Sequence, residues 1–131
     1  MNIIIPLGGK GERFLKEGYQ MPKALIDILD KKMIDHLLDR VYTSLSENDN
    51  VFIVYTSQLD DYGFSKHILE KYKNISLIPL SYQTKGAAET VKIGLEKIMT
   101  NNDVYAERPT LLLDCDTFYL DDIVSLYRQK C

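Results

Sequence analysis

Apolar residues follow two rhythms along this chain. Short continuous runs predict buried strands: Asn2–Leu7, Val51–Tyr55, Ile75–Leu80 and Thr110–Leu113. A fifth, shorter strand is predicted over Ala24–Ile28, ended by Leu29-Asp30-Lys31. Between them the spacing changes to three and four residues. Met33, Ile34, Leu37, Leu38, Val41, Tyr42 and Leu45 make one amphipathic stripe, with Asp35, His36, Asp39 and Arg40 on the polar side. Phe64–Tyr72 predicts a second helix, with Ile68, Leu69 and Tyr72 inward. Ala87, Ala88, Val91, Gly94, Leu95 and Ile98 predict a third, and Leu120–Tyr127 begins a fourth, with Asp121 and Asp122 favourable in its first turn. Ser46–Asn50 and Thr100–Pro109 are polar connections. Pro79 places its strand at an edge or close to its own end.

Strands alternating with helices predict right-handed βαβ units. The fold class is therefore α/β, Rossmann-like, with a mostly parallel sheet and helices on both faces. Ligands of such sheets bind beyond the carboxyl ends of the strands. Three segments follow strands here and carry candidate chemistry: Gly8–Phe14, Gln83–Thr90 and Asp114–Asp116.

The first of these is the most informative. Gly8-Gly9-Lys10-Gly11-Glu12-Arg13-Phe14 comes directly after a strand. Glycines let the backbone approach a ligand closely, and free N–H groups in such a turn converge on an anion. The standard glycine motifs do not fit. A dinucleotide fingerprint would need glycine where Phe14 stands, and a P-loop would need Ser or Thr after Lys10, where Gly11 stands. By itself the segment is equally a tight turn with no ligand. Together with Pro22-Lys23 it resembles the nucleotide-sugar pyrophosphorylases, the family of sugar-1-phosphate nucleotidyltransferases. Their opening reads Gly-Gly-x-Gly-x-Arg-Phe/Leu, then a loop, then Pro-Lys, and residues 8–14 and 22–23 match it position for position.

That resemblance implies a fold of the nucleotide-diphospho-sugar transferase type and a set of roles. Arg13 and Lys23 are the implied catalytic residues. Leu7, Gly8, Gly9, Gly11, Gln83, Gly86, Ala87 and Ala88 are the implied nucleotide-binding residues, although Ala87 replaces a usual Thr and Gln83 lies closer to the glycine than is common. Asp116 is the implied Mg²⁺ ligand, with Asp114 second. Magnesium suits one or two carboxylates completed by substrate phosphates. Read without the resemblance, Asp114-x-Asp116 is also a turn with a helix cap, and Gln83–Thr90 an ordinary helix start. The implied partners are an NTP and a phosphorylated small-molecule acceptor, and the implied setting is capsule or cell-surface polysaccharide biosynthesis. Two other readings stay open: a metal-dependent glycosyltransferase with a DxD site, and a nucleotide-binding module without catalysis.

Composition narrows the field further. The chain has 131 residues, enough for one domain over 1–131. The resemblance covers only the nucleotide-binding half of family members. The chain stops at Lys130-Cys131 within a predicted helix, so it reads as the N-terminal part of a longer domain or a naturally short relative. Net charge is −3 with pI near 5.3 and scattered Lys and Arg, which argues against a nucleic-acid partner. No apolar run approaches the length of a membrane span, and no signal peptide is read at Met1. Cys115 and Cys131 make no disulfide framework, so a reducing cytoplasm is expected, with Cys115 packed. His36 and His67 have no metal-ligand spacing. Whether the protein forms a homo-oligomer is left open.

Overall fold

The computed structural model describes residues 1–7, 22–82, 84–101, 109–115 and 123–129. In chain order the elements are β1 (Asn2–Leu7), a 3₁₀ turn (Lys23–Leu25), β2 (Asp27–Ile28), β3 (Lys31–Lys32), α1 (Met33–Tyr42), β4 (Asn50–Thr56) and a 3₁₀ turn (Ser57–Tyr62). There follow α2 (Phe64–Lys71), β5 (Ile75–Leu80), α3 (Ala87–Asn101), β6 (Thr110–Leu112) and α4 (Ile123–Gln129). The chain forms two compact units, Met1–Lys10 with Asn50–Leu113, and Gly11–Asp49 with Asp114–Cys131.

The first unit is built on a four-stranded sheet of order β5-β4-β1-β6. All three pairings are parallel, with Asn2 opposite Asn50 and Thr110, and Val51 opposite Ile75. The apolar runs form strands buried on both faces, as expected for a parallel sheet. Ile3, Ile4 and Ile5 have no exposure, and Val51 through Tyr55 are buried. Side chains alternate between faces along a strand. On one face Ile4, Phe52, Val54 and Leu80 form a cluster with Ile98 of α3, and Ile78 and Ile93 pack against it. On the other face the Tyr55 ring meets Phe64, the first residue of α2, with centroids 4.9 Å apart. Helices therefore cover both faces of this sheet, as the sequence predicts.

Gly94 fixes how closely α3 lies on the sheet. A Cβ added there would sit 2.5 Å from Cγ2 of Val54, a methyl on a stiff β-branched side chain. The glycine costs helix propensity of about 1 kcal/mol and permits the close approach.

One inward assignment in this unit needs correction. Leu69 is 59% exposed, and Phe64 takes its place beside Ile68 and Tyr72 in the core. In α3, Ala88 and Leu95 of the predicted stripe are exposed, whereas Thr90, a polar residue, is fully buried. A helical stripe defines a face, and its rim turns outward wherever no neighbouring element covers it. Pro79 lies in β5, an edge strand among the described residues, where its missing N–H takes nothing from the ladder.

The second unit departs more from expectation. Residues Ala24–Ile28 do not form one strand. Lys23–Leu25 is a 3₁₀ turn, and Asp27–Ile28 pairs antiparallel with Lys31–Lys32. The turn residues Leu29 and Asp30 have φ of 53° and 69°, the left-handed values of a type I′ hairpin. Asn-Gly is the usual choice there. Leucine carries a Cβ penalty in that conformation, and Leu29 is 85% exposed, so burial offsets none of it. Helix α1 follows with Met33, Ile34, Leu37, Leu38 and Val41 buried as predicted, but Asp35 is also buried, 3% exposed, and is not on a solvated face. Nε2 of His36 donates to the Ile28 carbonyl, tying α1 to the hairpin.

The polar loop before β4 carries an ion pair with a buried carboxylate. Asp49, with its side chain 1% exposed, takes Nη1 of Arg128 at 3.3 Å on Oδ1 and Nη2 on Oδ2. Arg128 Nη2 also donates to the Ser44 carbonyl at 3.1 Å, and the Ser46 N–H donates to Asp49 Oδ2 at 3.0 Å. Burial alone would raise the Asp49 pKa. The hydrogen bonds from Arg128 and Ser46 outweigh it and hold the carboxyl well below the usual carboxylate range.

Two outcomes follow for stability. Gly94→Ala is expected to lower the unfolding free energy by about 1–2 kcal/mol despite the better helix propensity, because the added methyl meets Val54; urea denaturation measures this. Arg128→Ala is expected to cost about 3 kcal/mol at pH 7 by leaving Asp49 buried without its guanidinium. Asp49 has a lower pKa folded than unfolded. Its contribution is therefore present above the unfolded value of about 4 and lost as pH falls through the folded one. The gap between wild type and Arg128→Ala should accordingly shrink between pH 7 and pH 3.

Candidate functional site

The parallel strands put Leu7, Thr56, Leu80 and Leu112 at one edge of the sheet. The strand order adds a specific location on that edge. From β1 the chain steps outward to β4 and β5, then crosses back to place β6 on the other side of β1. The crevice beyond the carboxyl ends of β1 and β6 is therefore a topological switch point, where open α/β sheets bind ligands. β1 ends at Leu7 and continues into the glycine-rich segment. β6 ends at Leu112 and continues through Leu113 to Asp114.

The expected site residues divide as follows. Leu7 is the last residue of β1 and half-buried. Gly86 precedes α3, Ala87 is its first residue, and Ala88 is exposed in its first turn. These lie in the first unit with the sheet edge. Lys23 opens the 3₁₀ turn of the second unit, where only its backbone is described. Asp114 is exposed. Gly8, Gly9, Gly11, Arg13, Gln83 and Asp116 lie outside the described residues. The strand before these acids ends at Leu112, and Cys115 lies in a turn beyond it. Cys115 is buried, as a packed thiol should be.

The start of α3 is the best-defined part of the site. Lys85 N–H donates to Oε2 of Glu89 at 3.0 Å, so an acidic side chain in the first turn satisfies a donor just before the helix, close to a capping box. Thr90 N–H donates to the Gly86 carbonyl at 3.2 Å, closing the first helical turn. The N–H groups of Ala87 and Ala88 have no intrahelical acceptor by the geometry of any helix start. Gly86 has no left-handed φ, and among the described residues a Cβ placed on it would meet nothing within 4 Å. The described residues thus give no reason for glycine at 86.

Thr84 and Thr90 escaped the motif reading, although both lie within Gln83–Thr90. Thr84 is 2% exposed and Thr90 fully buried, and their hydroxyl oxygens are 2.6 Å apart. The available signal was Thr90 falling between Ala87 and Gly94 on the apolar stripe, a polar residue where the core faces.

At the end of β4, Tyr55 donates its hydroxyl to Asp60 Oδ2 at 2.9 Å, while Ser65 N–H donates to Asp60 Oδ1 at 3.0 Å. Burial first, and the neighbouring Asp60 second, push the Tyr55 pKa up to about 12. Tyr55 is a structural strut at this edge and stays protonated at neutral pH. Among the described residues no group of three or more His, Cys, Asp or Glu side chains is arranged to hold a metal ion. None of the described helices is long and apolar enough to cross a membrane.

This architecture is that of an open parallel α/β sheet with a topological switch point, and solved structures share the fold. The nucleoside-diphosphate-sugar pyrophosphorylase from Vibrio cholerae RC9 superposes with a TM-score of 0.72 at 22% identity, over 95% of this chain and 52% of that one. A 4-diphosphocytidyl-2C-methyl-D-erythritol synthase superposes with a TM-score of 0.67 at 18% identity, over 98% of this chain and 52% of that one. The chain thus spans about half the length of these two structures. It belongs to the nucleotidyl transferase family, which it matches over residues 2–130. No curated protein is a significant match.

Because nothing among the described residues requires glycine at 86, Gly86→Ala is expected to change the unfolding free energy by less than about 1 kcal/mol. Urea denaturation checks this; a larger loss would mean that the glycine serves the fold and not an open site.

Proposed function

We propose that this chain forms the nucleotide-binding part of a Mg²⁺-dependent nucleotidyltransferase that joins an NTP to a sugar 1-phosphate or a similar phosphorylated small molecule. A phosphate oxygen of the acceptor attacks the α-phosphorus. The new P–O bond forms as the bond to the α,β-bridging oxygen breaks, and pyrophosphate leaves with that electron pair. The observation that carries this reading is the strand order β5-β4-β1-β6. It opens the switch point between the two strands whose continuations carry Gly8-Gly9-Lys10-Gly11-Glu12-Arg13 and Asp114-Cys115-Asp116. Membership of the nucleotidyl transferase family supports the reaction class.

In this reading the backbone N–H groups of Gly8, Gly9 and Gly11 receive the triphosphate. Arg13 and Lys23 neutralise charge that builds on its non-bridging oxygens, the main requirement of phosphoryl-type transfer. Leu7, Gln83, Gly86, Ala87 and Ala88 take the base and ribose. A Gly86 with no described atom within 4 Å of where its Cβ would be, and the first-turn N–H groups of α3, suit a flat ligand with carbonyl or hydroxyl acceptors. No nucleophilic side chain is called for, in keeping with Tyr55 held protonated and Cys115 buried.

Asp116, with Asp114 second, would hold the Mg²⁺. Two carboxylates on one strand continuation fit its preference for hard oxygen donors, with the nucleotide phosphates completing the shell. A metal shared with substrate in this way needs no cluster of three protein ligands. When bound, Mg²⁺ supplies positive charge between the phosphates.

Calorimetric titration with ATP, GTP, CTP and UTP, with and without MgCl₂, tests the proposal. One NTP is expected to bind in the presence of Mg²⁺, and Asp116→Asn and Lys23→Ala are each expected to weaken it roughly tenfold or more, about 1.4 kcal/mol. Absence of binding to all four, or equal binding by both variants, would overturn the assignment.

A further inference from the structure

The buried threonine pair at the start of α3 does something that the cap does not need. Thr84 Oγ1 lies 2.6 Å from Thr90 Oγ1 and 3.3 Å from the Gly86 carbonyl, and Thr90 Oγ1 lies 3.1 Å from that carbonyl. Two hydroxyls supply two protons for these three contacts. One hydroxyl must donate to the other, and the second to Gly86. The order using the two shorter contacts runs from Thr84 to Thr90 to the Gly86 carbonyl. That carbonyl also accepts the Thr90 N–H at 3.2 Å. Both of its lone pairs are then occupied, and the peptide between Gly86 and Ala87 is held from the helix side.

A trans peptide is planar, with its C=O and N–H pointing in opposite directions. Fixing the Gly86 carbonyl into α3 turns the Ala87 N–H away from the helix, and among the described residues a Cβ on Gly86 would meet nothing within 4 Å. The neighbouring Lys85 N–H is already taken by Glu89. Valine in place of both threonines would fill the same volume, and replacing both partners of a buried hydrogen bond by apolar groups of equal shape is close to neutral for stability. What the hydroxyls add beyond packing is the orientation of one peptide.

We infer that Thr84 and Thr90 are positioning residues for the nucleotide, acting through the Gly86–Ala87 peptide to present the Ala87 N–H to an acceptor on the base or ribose. This rests on the nucleotide site proposed above and adds to it two residues that do not themselves touch the ligand.

The test compares wild type, Thr84→Val/Thr90→Val and Thr84→Ser/Thr90→Ser. Each is titrated with ATP, GTP, CTP and UTP in MgCl₂, and with inorganic tripolyphosphate, which has no base or ribose. The double valine chain is expected to keep its thermal midpoint within about 3 °C. It should bind the preferred NTP about five- to tenfold more weakly, the worth of one hydrogen bond. Its affinity for tripolyphosphate should be unchanged, and the double serine chain should recover NTP affinity. If the double valine chain does not fold, Thr90→Val alone decides by the same comparison. NTP affinity unchanged in the valine variant, or NTP and tripolyphosphate weakened alike, overturns the inference while leaving the nucleotide site standing. A wild-type chain that binds no NTP overturns both.

Discussion

β1 is bonded to a parallel strand on each side, and most of the described architecture can be traced to that condition. A parallel neighbour cannot be reached by a tight turn, so every strand-to-strand step must travel back along the sheet before pairing. Within the first unit α2 and α3 lie on opposite faces, and Ile3, Ile4 and Ile5 are fully buried. The same condition sends all strand exits to one edge. Because β4 and β6 lie on opposite sides of β1, the exits diverge there, and the crevice follows from topology before any side chain is considered.

Packing carries that constraint to the start of α3. Gly94 lets the helix settle against Val54, and Ile98 enters the same cluster as Ile4 and Phe52. Gly86 lies about two helical turns before Gly94. The depth at which α3 seats on the sheet therefore sets the height at which its first turn meets the carboxyl edge. The two glycines have opposite surroundings among the described residues: a valine methyl fills the Cβ position of one, and nothing lies within 4 Å of that of the other. A sequence pattern makes them look equivalent.

Much of the fold was legible because continuous apolar runs admit few alternatives. Asn2–Leu7 and Ile75–Leu80 were read with the bounds observed, and Val51–Tyr55 was short by one residue at each end. Failures came where the deciding partner was distant or local chemistry was atypical. Asp49 reads as one more polar loop residue, since its partner Arg128 lies far along the chain. Leu29-Asp30 gives no clear hairpin signal because leucine does not favour a left-handed φ and no glycine accompanies Asp30. Asp35 and Leu69 show that periodicity selects a face but cannot say which neighbour covers it. At the site, the positions of Gly86 and Ala88 were legible from the helix start, while the Thr84–Thr90 contact depends on a side-chain geometry that spacing does not encode. Gly8, Gly9, Gly11, Arg13, Gln83 and Asp116 fall outside the described residues.

The pairing of Asn2 with Thr110 also bears on how the chain reaches its native state. Roughly a hundred residues separate these partners, and loop closure of that length precedes any gain from the contacts made. During synthesis β1 emerges first, yet its second edge has no partner until almost the whole described sheet has been made. For that interval a strand carrying three consecutive isoleucines presents an unfilled hydrogen-bonding edge, the feature that recruits other chains. Pro6 near the end of β1 lacks an N–H and interrupts that edge, a small local brake on misassembly in a strand whose pairing is completed last.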